Sequence, residues 1–213
     1  DDGVEVAEAT VAYPHGVMDR VLPSGKRLPP QFALQYPNDY LFALRETVRG
    51  VLQKASASAS EIAGIGIDFT ACTLLAVDAD GKPLCDREAF LDEPLSYALL
   101  WKHHGAQEYA DRMNRVAEAR GEDWLRFIGG KISSESMFPK ILQILKEAPS
   151  VYAAADRFTE AGDWIVRLLT GRDLHSRNIA GYKAQYVSSD YPSEEYFCAV
   201  DVGLRGLVGT KVS

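Results

Sequence analysis

Apolar and polar residues first alternate one by one. Val4, Val6, Ala7, Ala9, Val11 and Tyr13 are broken by Glu5, Glu8 and Thr10, which predicts a half-buried strand. A strand so near the N-terminus calls for neighbours on both sides or an edge position. Residues 14–37 carry Pro14, Pro23, Pro29, Pro30 and Pro37 with Gly16 and Gly25, so they read as a loop. Val17, Met18, Leu22, Leu28 and Phe32 predict that this loop is folded. From Asn38 the period changes. Leu41, Leu44, Val48, Val51 and Leu52 share one helical face, with Asn38 as the expected cap, giving a helix over 38–53. The Ser/Ala run at 56–60 ends it. An unbroken apolar run then predicts a buried central strand over 63–68. Residues 73–77 are expected to pair beside it as a hairpin, followed by a turn at Asp80-Gly81. The resulting order, strand, helix, strand and hairpin, predicts an α/β domain with a mixed sheet and flanking helices.

The second half reads as helical. Leu95, Leu99, Lys102, Ala106, Tyr109, Met113 and Val116 recur every three or four residues, predicting one long helix or two broken near Gly105. Ile141, Leu142 and Leu145 mark another, with Pro139 near its first turn. Residues 158–169 predict a third, closed by Gly171. Pro192-Ser193-Glu194-Glu195 starts a fourth. No internal repeat is visible. The C-terminal stretch from Gly206 to Ser213 reads as a connector, and both ends read as cut from a longer protein.

Composition narrows the class. The 213 residues suit one large domain or two small ones, with 46% hydrophobic and 25% charged residues. A formal net charge of −7 offers no broad basic field for nucleic acid. Cys72, Cys85 and Cys198 are widely spaced and form no CxxC pair, so neither a disulfide framework nor a zinc site is predicted. A reducing compartment fits. No apolar stretch approaches the ~20 residues needed to span a bilayer. Asp1-Asp2-Gly3 carries no signal-peptide pattern, so a cytoplasmic protein is the default expectation.

The segment GIGIDFTACT, residues 64–73, is the first candidate for chemistry. An apolar run ends in the carboxylate Asp68 and breaks into small and hydroxyl residues, the pattern of a strand delivering a polar side chain to a cleft. Asp68 has four readings: substrate acceptor, metal ligand, base, or turn cap. The adjacent His103 and His104 would point about 100° apart on a helix and could not chelate one metal together. His15 and His175 stand isolated and read as structural or surface histidines. Residues 129–135, GGKISSE, combine two glycines with a cation, two hydroxyls and Glu135, yet lack P-loop spacing. They read either as a site segment or as a loop with Ser134 or Ser136 capping the next helix. Asp163, in Gly162-Asp163-Trp164, complements a helix dipole or faces a cleft beside an aromatic. Lys183, among Ala180, Gly181, Tyr182 and Ala184, either snorkels or anchors a sugar hydroxyl or phosphate oxygen.

Taken in order, GIGIDFTACT, GGKISSE, EAGDWIVRLLTG and AGYKA resemble the N-terminal half of the ribulokinase branch of the FGGY carbohydrate kinase family. YPHGVMDR, LPP, QYPNDY and WKHH are similar to the same branch, so the resemblance covers nearly the whole chain. It implies an actin-like, ribonuclease-H-like ATPase fold in which two domains flank a cleft. Residues 1–213 would be part of the N-terminal, sugar-binding domain. The implied reaction is phosphoryl transfer from MgATP to the 5-hydroxyl of L-ribulose, governed by positioning and electrostatics. By resemblance Ala71 lets the sugar approach and Lys183 donates to a hydroxyl, with Asp68, Thr70, Glu135 and Asp163 as further substrate-binding residues.

The departures matter as much. The family's opening strand and DFGT-type phosphate loop are not seen. Its catalytic Asp lies in a motif downstream of the last residue here, and its nucleotide domain is missing. ATP and Mg2+ are therefore expected to bind mainly outside this segment, and the isolated chain is expected to be inactive. Expected partners are the sugar and the C-terminal domain of the same polypeptide, with room for a homodimer, and neither nucleic acid nor membrane. Alternatives are another pentulose or polyol kinase of the family, and a non-catalytic sugar-binding module. A nuclease on the same broad fold is disfavoured, since it needs clustered acidic metal ligands and a less acidic chain.

Overall fold

A run of apolar residues with no polar interruption suits a strand covered on both faces, and Leu74-Leu75-Ala76-Val77 is such a run. In the computed structural model, which describes residues 3–212, this strand lies inside a four-stranded sheet. The elements are β1 (Leu34–Gln35), α1 (Pro37–Ala55), β2 (Leu74–Val77), β3 (Ala98–Leu99), α2 (Gln107–Arg120) and α3 (Met137–Glu147). They continue with α4 (Pro149–Ala154), β4 (Arg157–Glu160), α5 (Ala161–Thr170), α6 (Arg177–Lys183) and α7 (Glu194–Val200). The sheet order is β1-β3-β2-β4, and every ladder is antiparallel.

Period-two geometry sends successive β2 side chains to opposite faces. Leu74 and Ala76 enter a large core with Met113 and Ala117 of α2, Phe138, Ile141 and Leu142 of α3, and Tyr196 and Phe197 of α7. Leu75 and Val77 enter a smaller core with Tyr40 of α1 and Trp164 and Ile165 of α5. The architecture is therefore helix, sheet, helix. Each buried leucine contributes about 1.5–3 kcal/mol, so β2 anchors both layers. Trp164 also ties α5 to the turn after β2, its Nε1 donating to the Gly81 carbonyl at 2.7 Å. Gly171 ends α5 in the left-handed conformation, φ +68°, as the sequence predicts.

Several expectations are corrected. Residues 63–68 have no regular secondary structure and belong to no ladder among the described residues, and Ile65 is 60% exposed. In place of the expected hairpin, β2 pairs along its whole length with β4, and Leu74 also pairs with Leu99 of β3. The sheet is antiparallel among the described residues, not mixed. Residues 4–13 also join no ladder; they run along α1, with Lys54 donating to the Glu8 carbonyl and Tyr13 meeting Tyr40 edge-on. Asn38 is not the cap of α1; it sits inside the first turn, and its amide donates to Tyr36 and Asp86 side chains.

The stripe over 95–116 is broken, since Ala98–Leu99 pairs in the sheet and the helix begins at Gln107. Likewise 158–169 is a strand and a helix, because Phe158 and Glu160 pair with β2 before α5 starts. Helices α3 and α7 stand where the pattern placed them, and Ser193 caps α7 by accepting from the Tyr196 N–H. The C-terminal stretch is no loose connector. Leu207 and Val212 are buried, and Lys211 donates to the Ala155 carbonyl. Asp1, Asp2 and Ser213 lie outside the described residues.

Candidate functional site

The 67–71 segment leaves the smaller core and faces the first turn of α5 and the helix α6. Between them lies a cleft of ≈ 380 Å³ lined by Asp68, Ala71, Asp163, Ser176, Asn178 and Tyr182, with Ile67, Phe69 and Ile179 as apolar walls. Gly162 sets this spacing. A Cβ there would stand 3.1 Å from the Phe69 Cβ and 3.3 Å from the Ile179 Cδ1, so any side chain would push these neighbours back by a few tenths of an ångström.

Each polar group has a structural origin. Asp163 sits in the first turn of α5, where its charge complements the helix dipole. Its Oδ1 accepts from the Ser176 N–H at 3.0 Å, and its Oδ2 lies 3.5 Å from His175 Nδ1. The capping and cleft-facing readings of Asp163 are thus both realised. His175 is not isolated as expected, because this carboxylate faces it. Ser176 caps α6 by accepting from the Ile179 N–H at 3.4 Å. Asp68 is exposed on the cleft wall.

Lys183 ends α6 and pairs with Glu135, Nζ to Oε2 at 2.7 Å, with both side chains only 21% and 28% exposed. Burial works against the ammonium, but the Glu135 hydrogen bond and charge outweigh it and hold the lysine pKa above its ordinary value. Lys183 therefore does not simply snorkel. The Thr70 side chain is exposed, and its backbone carbonyl accepts from Thr73 Oγ1 at 2.9 Å, within the turn.

That turn is unusual at Cys72, which is buried with φ +69°. The left-handed conformation costs a non-glycine residue about 1–2 kcal/mol, so the surroundings must hold it. Burial, with the nearby Glu160 charge adding to it, pushes the Cys72 thiol up to about 12, so it is no nucleophile. Lys140 and Glu160 supply the hold. Lys140 Nζ donates to the carbonyls of Cys72, Leu100 and Leu99 at 2.5, 2.8 and 3.2 Å. Glu160 Oε2 accepts from the Thr73 N–H at 3.0 Å. Burial lowers the Lys140 pKa and raises that of Glu160, and the attraction between the two charges opposes both shifts.

Asp68, Ala71 and Asp163 thus share one cleft, while Lys183 and Glu135 pair at the end of α6. Sequence reasoning missed Ser176, Asn178, Tyr182, Lys140 and Glu160. For Lys140 a signal existed, a lone cation inside the apolar stretch Met137-Phe138-Pro139-Lys140-Ile141-Leu142. The other histidines are structural. His15 pairs with Asp39 at 2.8 Å, and buried His103 meets Gln143 at 2.8 Å, its pKa lowered to about 4 by burial. Among the described residues no group of three or more His, Cys, Asp or Glu could hold a metal ion.

No protein-family model matches the chain. Individual relatives do. It is 50% identical over 213 residues to a ribulokinase of Bacillus licheniformis, covering 99% of this chain and 39% of that protein. It is 49% identical to a ribulokinase of Shouchella clausii and 46% to one of Mycolicibacterium smegmatis, covering 38% of each. The chain therefore spans about 38–39% of the length of these relatives. Among solved structures, a xyloylose kinase of Brucella ovis superposes with a TM-score of 0.66 at 16% identity, over 88% of this chain and 36% of that one. A gluconate kinase of Lactobacillus acidophilus gives 0.60 at 17% identity, over 88% and 35%. Over the length compared, the chain is homologous to the ribulokinases and has part of the actin-like fold of the FGGY sugar kinases.

Proposed function

We propose that this chain is the sugar-binding part of a kinase that transfers phosphate from ATP to the 5-hydroxyl of L-ribulose. The observation that carries the reading is the cleft itself: Asp68, Ala71 and Asp163 converge on it, in a chain half identical to a ribulokinase. Its donor set suits a polyol. Carboxylates accept from hydroxyls, the small Ala71 leaves room for a ring or open chain, and an ammonium at the end of α6 donates. Lysine has three donors, and Glu135 takes one of them.

The same set does not suit a triphosphate. Two carboxylates on the cleft wall repel anionic oxygens at short range. ATP and the divalent ion that sugar kinases use are therefore assigned to residues outside this segment, together with the catalytic base. The chain's own contribution is to bind the sugar, exclude water from it and fix the direction of its reacting hydroxyl. We place the protein in the cytoplasm. A homodimer is part of this reading only as the family resemblance implies it, and light scattering on the full-length protein decides it.

The test is a substrate panel on the full-length protein with MgATP: L-ribulose, D-xylulose, glycerol and gluconate, followed by ADP release. The highest kcat/KM is expected with L-ribulose. A clear preference for another substrate would assign the cleft to a different kinase of the fold. No turnover with any would favour a non-catalytic sugar-binding module.

A further inference from the structure

Lys140 and Glu160 grip the same peptide group. The Cys72 carbonyl and the Thr73 N–H are the two ends of one peptide bond; the ammonium holds the oxygen at 2.5 Å and the carboxylate holds the N–H at 3.0 Å. Cation at the negative end and anion at the positive end both align with the peptide dipole. Lys140 is 0% exposed and Glu160 3%. Burying two charges is costly, and an apolar pair of the same volume often serves stability as well or better. What an apolar pair cannot do is orient a peptide plane. The oriented plane immediately follows Cys72, whose left-handed φ would relax to the extended or helical region without restraint. Ala71, on the cleft wall, precedes it.

The two charges come from different layers of the fold. Lys140 arrives on α3 from the large core, flanked by the buried Phe138, Ile141 and Leu142. Glu160 is the last residue of β4 and pairs in register with Leu74. The position of the cleft wall is thereby tied to both the sheet and the helix layer behind it.

We propose that Lys140 and Glu160 are positioning residues of the sugar site, which by holding both ends of the Cys72–Thr73 peptide keep Cys72 left-handed and present Ala71 to the substrate. This rests on the reading of the cleft as a sugar site. Neither residue touches the sugar. Their effect reaches it through the backbone of residues 71–73.

The test uses the full-length protein and the double variant Lys140→Met/Glu160→Gln, which removes both charges together and so leaves no unpaired buried ion. KM for L-ribulose, KM for MgATP and thermal unfolding are measured beside wild type. The expected result is a rise of about tenfold in the ribulose KM, the scale of one lost charge-assisted hydrogen bond, with the ATP KM within about twofold. Adding Cys72→Gly to the double variant should bring the ribulose KM back toward wild type, because glycine takes the left-handed conformation unaided. A merely structural pair would move the melting temperature without this split or rescue. If that variant does not fold, Lys140→Leu/Glu160→Met, an apolar pair of similar volume that also removes the acceptor, is judged by the same split. An unchanged ribulose KM in a folded variant, or equal changes in both KM values, overturns the proposal while the sugar-site reading stands. Wild-type protein inert toward L-ribulose overturns both.

Discussion

The Lys183 ammonium lies 2.7 Å from the Glu135 carboxylate, joining the end of α6 to the loop before α3. Two segments 48 residues apart thereby meet one residue beyond Tyr182, which lines the cleft. The pair fixes the lysine's direction and keeps it charged, while leaving donors for a hydroxyl.

Lys183→Met in the full-length protein keeps most of the stem and removes the charge. The expected outcome is a loss of roughly tenfold to a hundredfold in kcat/KM, the equivalent of about 1.5–3 kcal/mol for a charge-assisted hydrogen bond. The KM for L-ribulose should rise more than that for ATP in steady-state kinetics. Wild-type kinetics from the Met variant would make Lys183 a purely structural partner of Glu135.

Ala71→Val adds two methyl groups at the cleft wall. Sugar affinity should weaken while the unfolding midpoint stays within a few degrees of wild type, as read by calorimetry and by equilibrium binding of L-ribulose. Unchanged affinity in the folded variant would place the 68–73 segment away from the bound sugar.

Gly162→Ala separates stability from binding in another way. The new Cβ would press on Phe69 at 3.1 Å and Ile179 at 3.3 Å. In a helix, alanine gains about 1 kcal/mol over glycine, which offsets part of the overpacking cost of about 1–3 kcal/mol. Phe69 lies in the unladdered segment and can shift, carrying the Asp68 wall with it. The expected outcome is a small change in melting temperature with a several-fold rise in the ribulose KM.

Asp201 gives a pH signature. It accepts from Arg112 at 3.1 Å and from the Gly203 N–H at 3.0 Å, and it pairs with Lys146, linking α2, α3 and the turn after α7. Burial pushes its carboxyl up, but the Lys146 and Gly203 hydrogen bonds and the two cations outweigh that and hold the pKa below the usual value. A depressed carboxylate contributes stability that is full above its unfolded pKa, about 3.9, and is lost as pH falls through the folded value. Asp201→Asn should cost about 1–2 kcal/mol near neutral pH, discounted because both cations are partly exposed. The gap from wild type should close below about pH 4, as read from melting curves across pH. A gap that stays constant through that range would remove the charge from the explanation.

The isolated 213-residue chain should release no ADP in response to L-ribulose, since the reading assigns the base and nucleotide site elsewhere. Ribulose-dependent ADP release by this chain, followed in a coupled assay, would overturn that assignment.

The sequence by itself determined the elements whose signals are local. The helix α1, the buried face of α3, the start of α7 at Ser193, the left-handed Gly171 and the turn at Gly81 follow from side-chain period and backbone preference within a few residues, whereas Val48 of the α1 stripe is exposed. It also marked Asp68, Ala71, Asp163, Glu135 and Lys183, because ordered motifs survive without coordinates. Tertiary structure alone decided the rest. Whether an apolar run pairs depends on which strand packing brings beside it, and β2 pairs along its length with β4, not with 63–68. Leu99 fits a helical stripe as well as a strand, and its pairing with Leu34 and Leu74 chose the strand. No local pattern could show that Lys140 and Glu160, twenty residues apart, would meet one peptide between Cys72 and Thr73. That meeting depends on helix and sheet packing on opposite sides of one turn, and charge at a distance in sequence leaves no periodic trace.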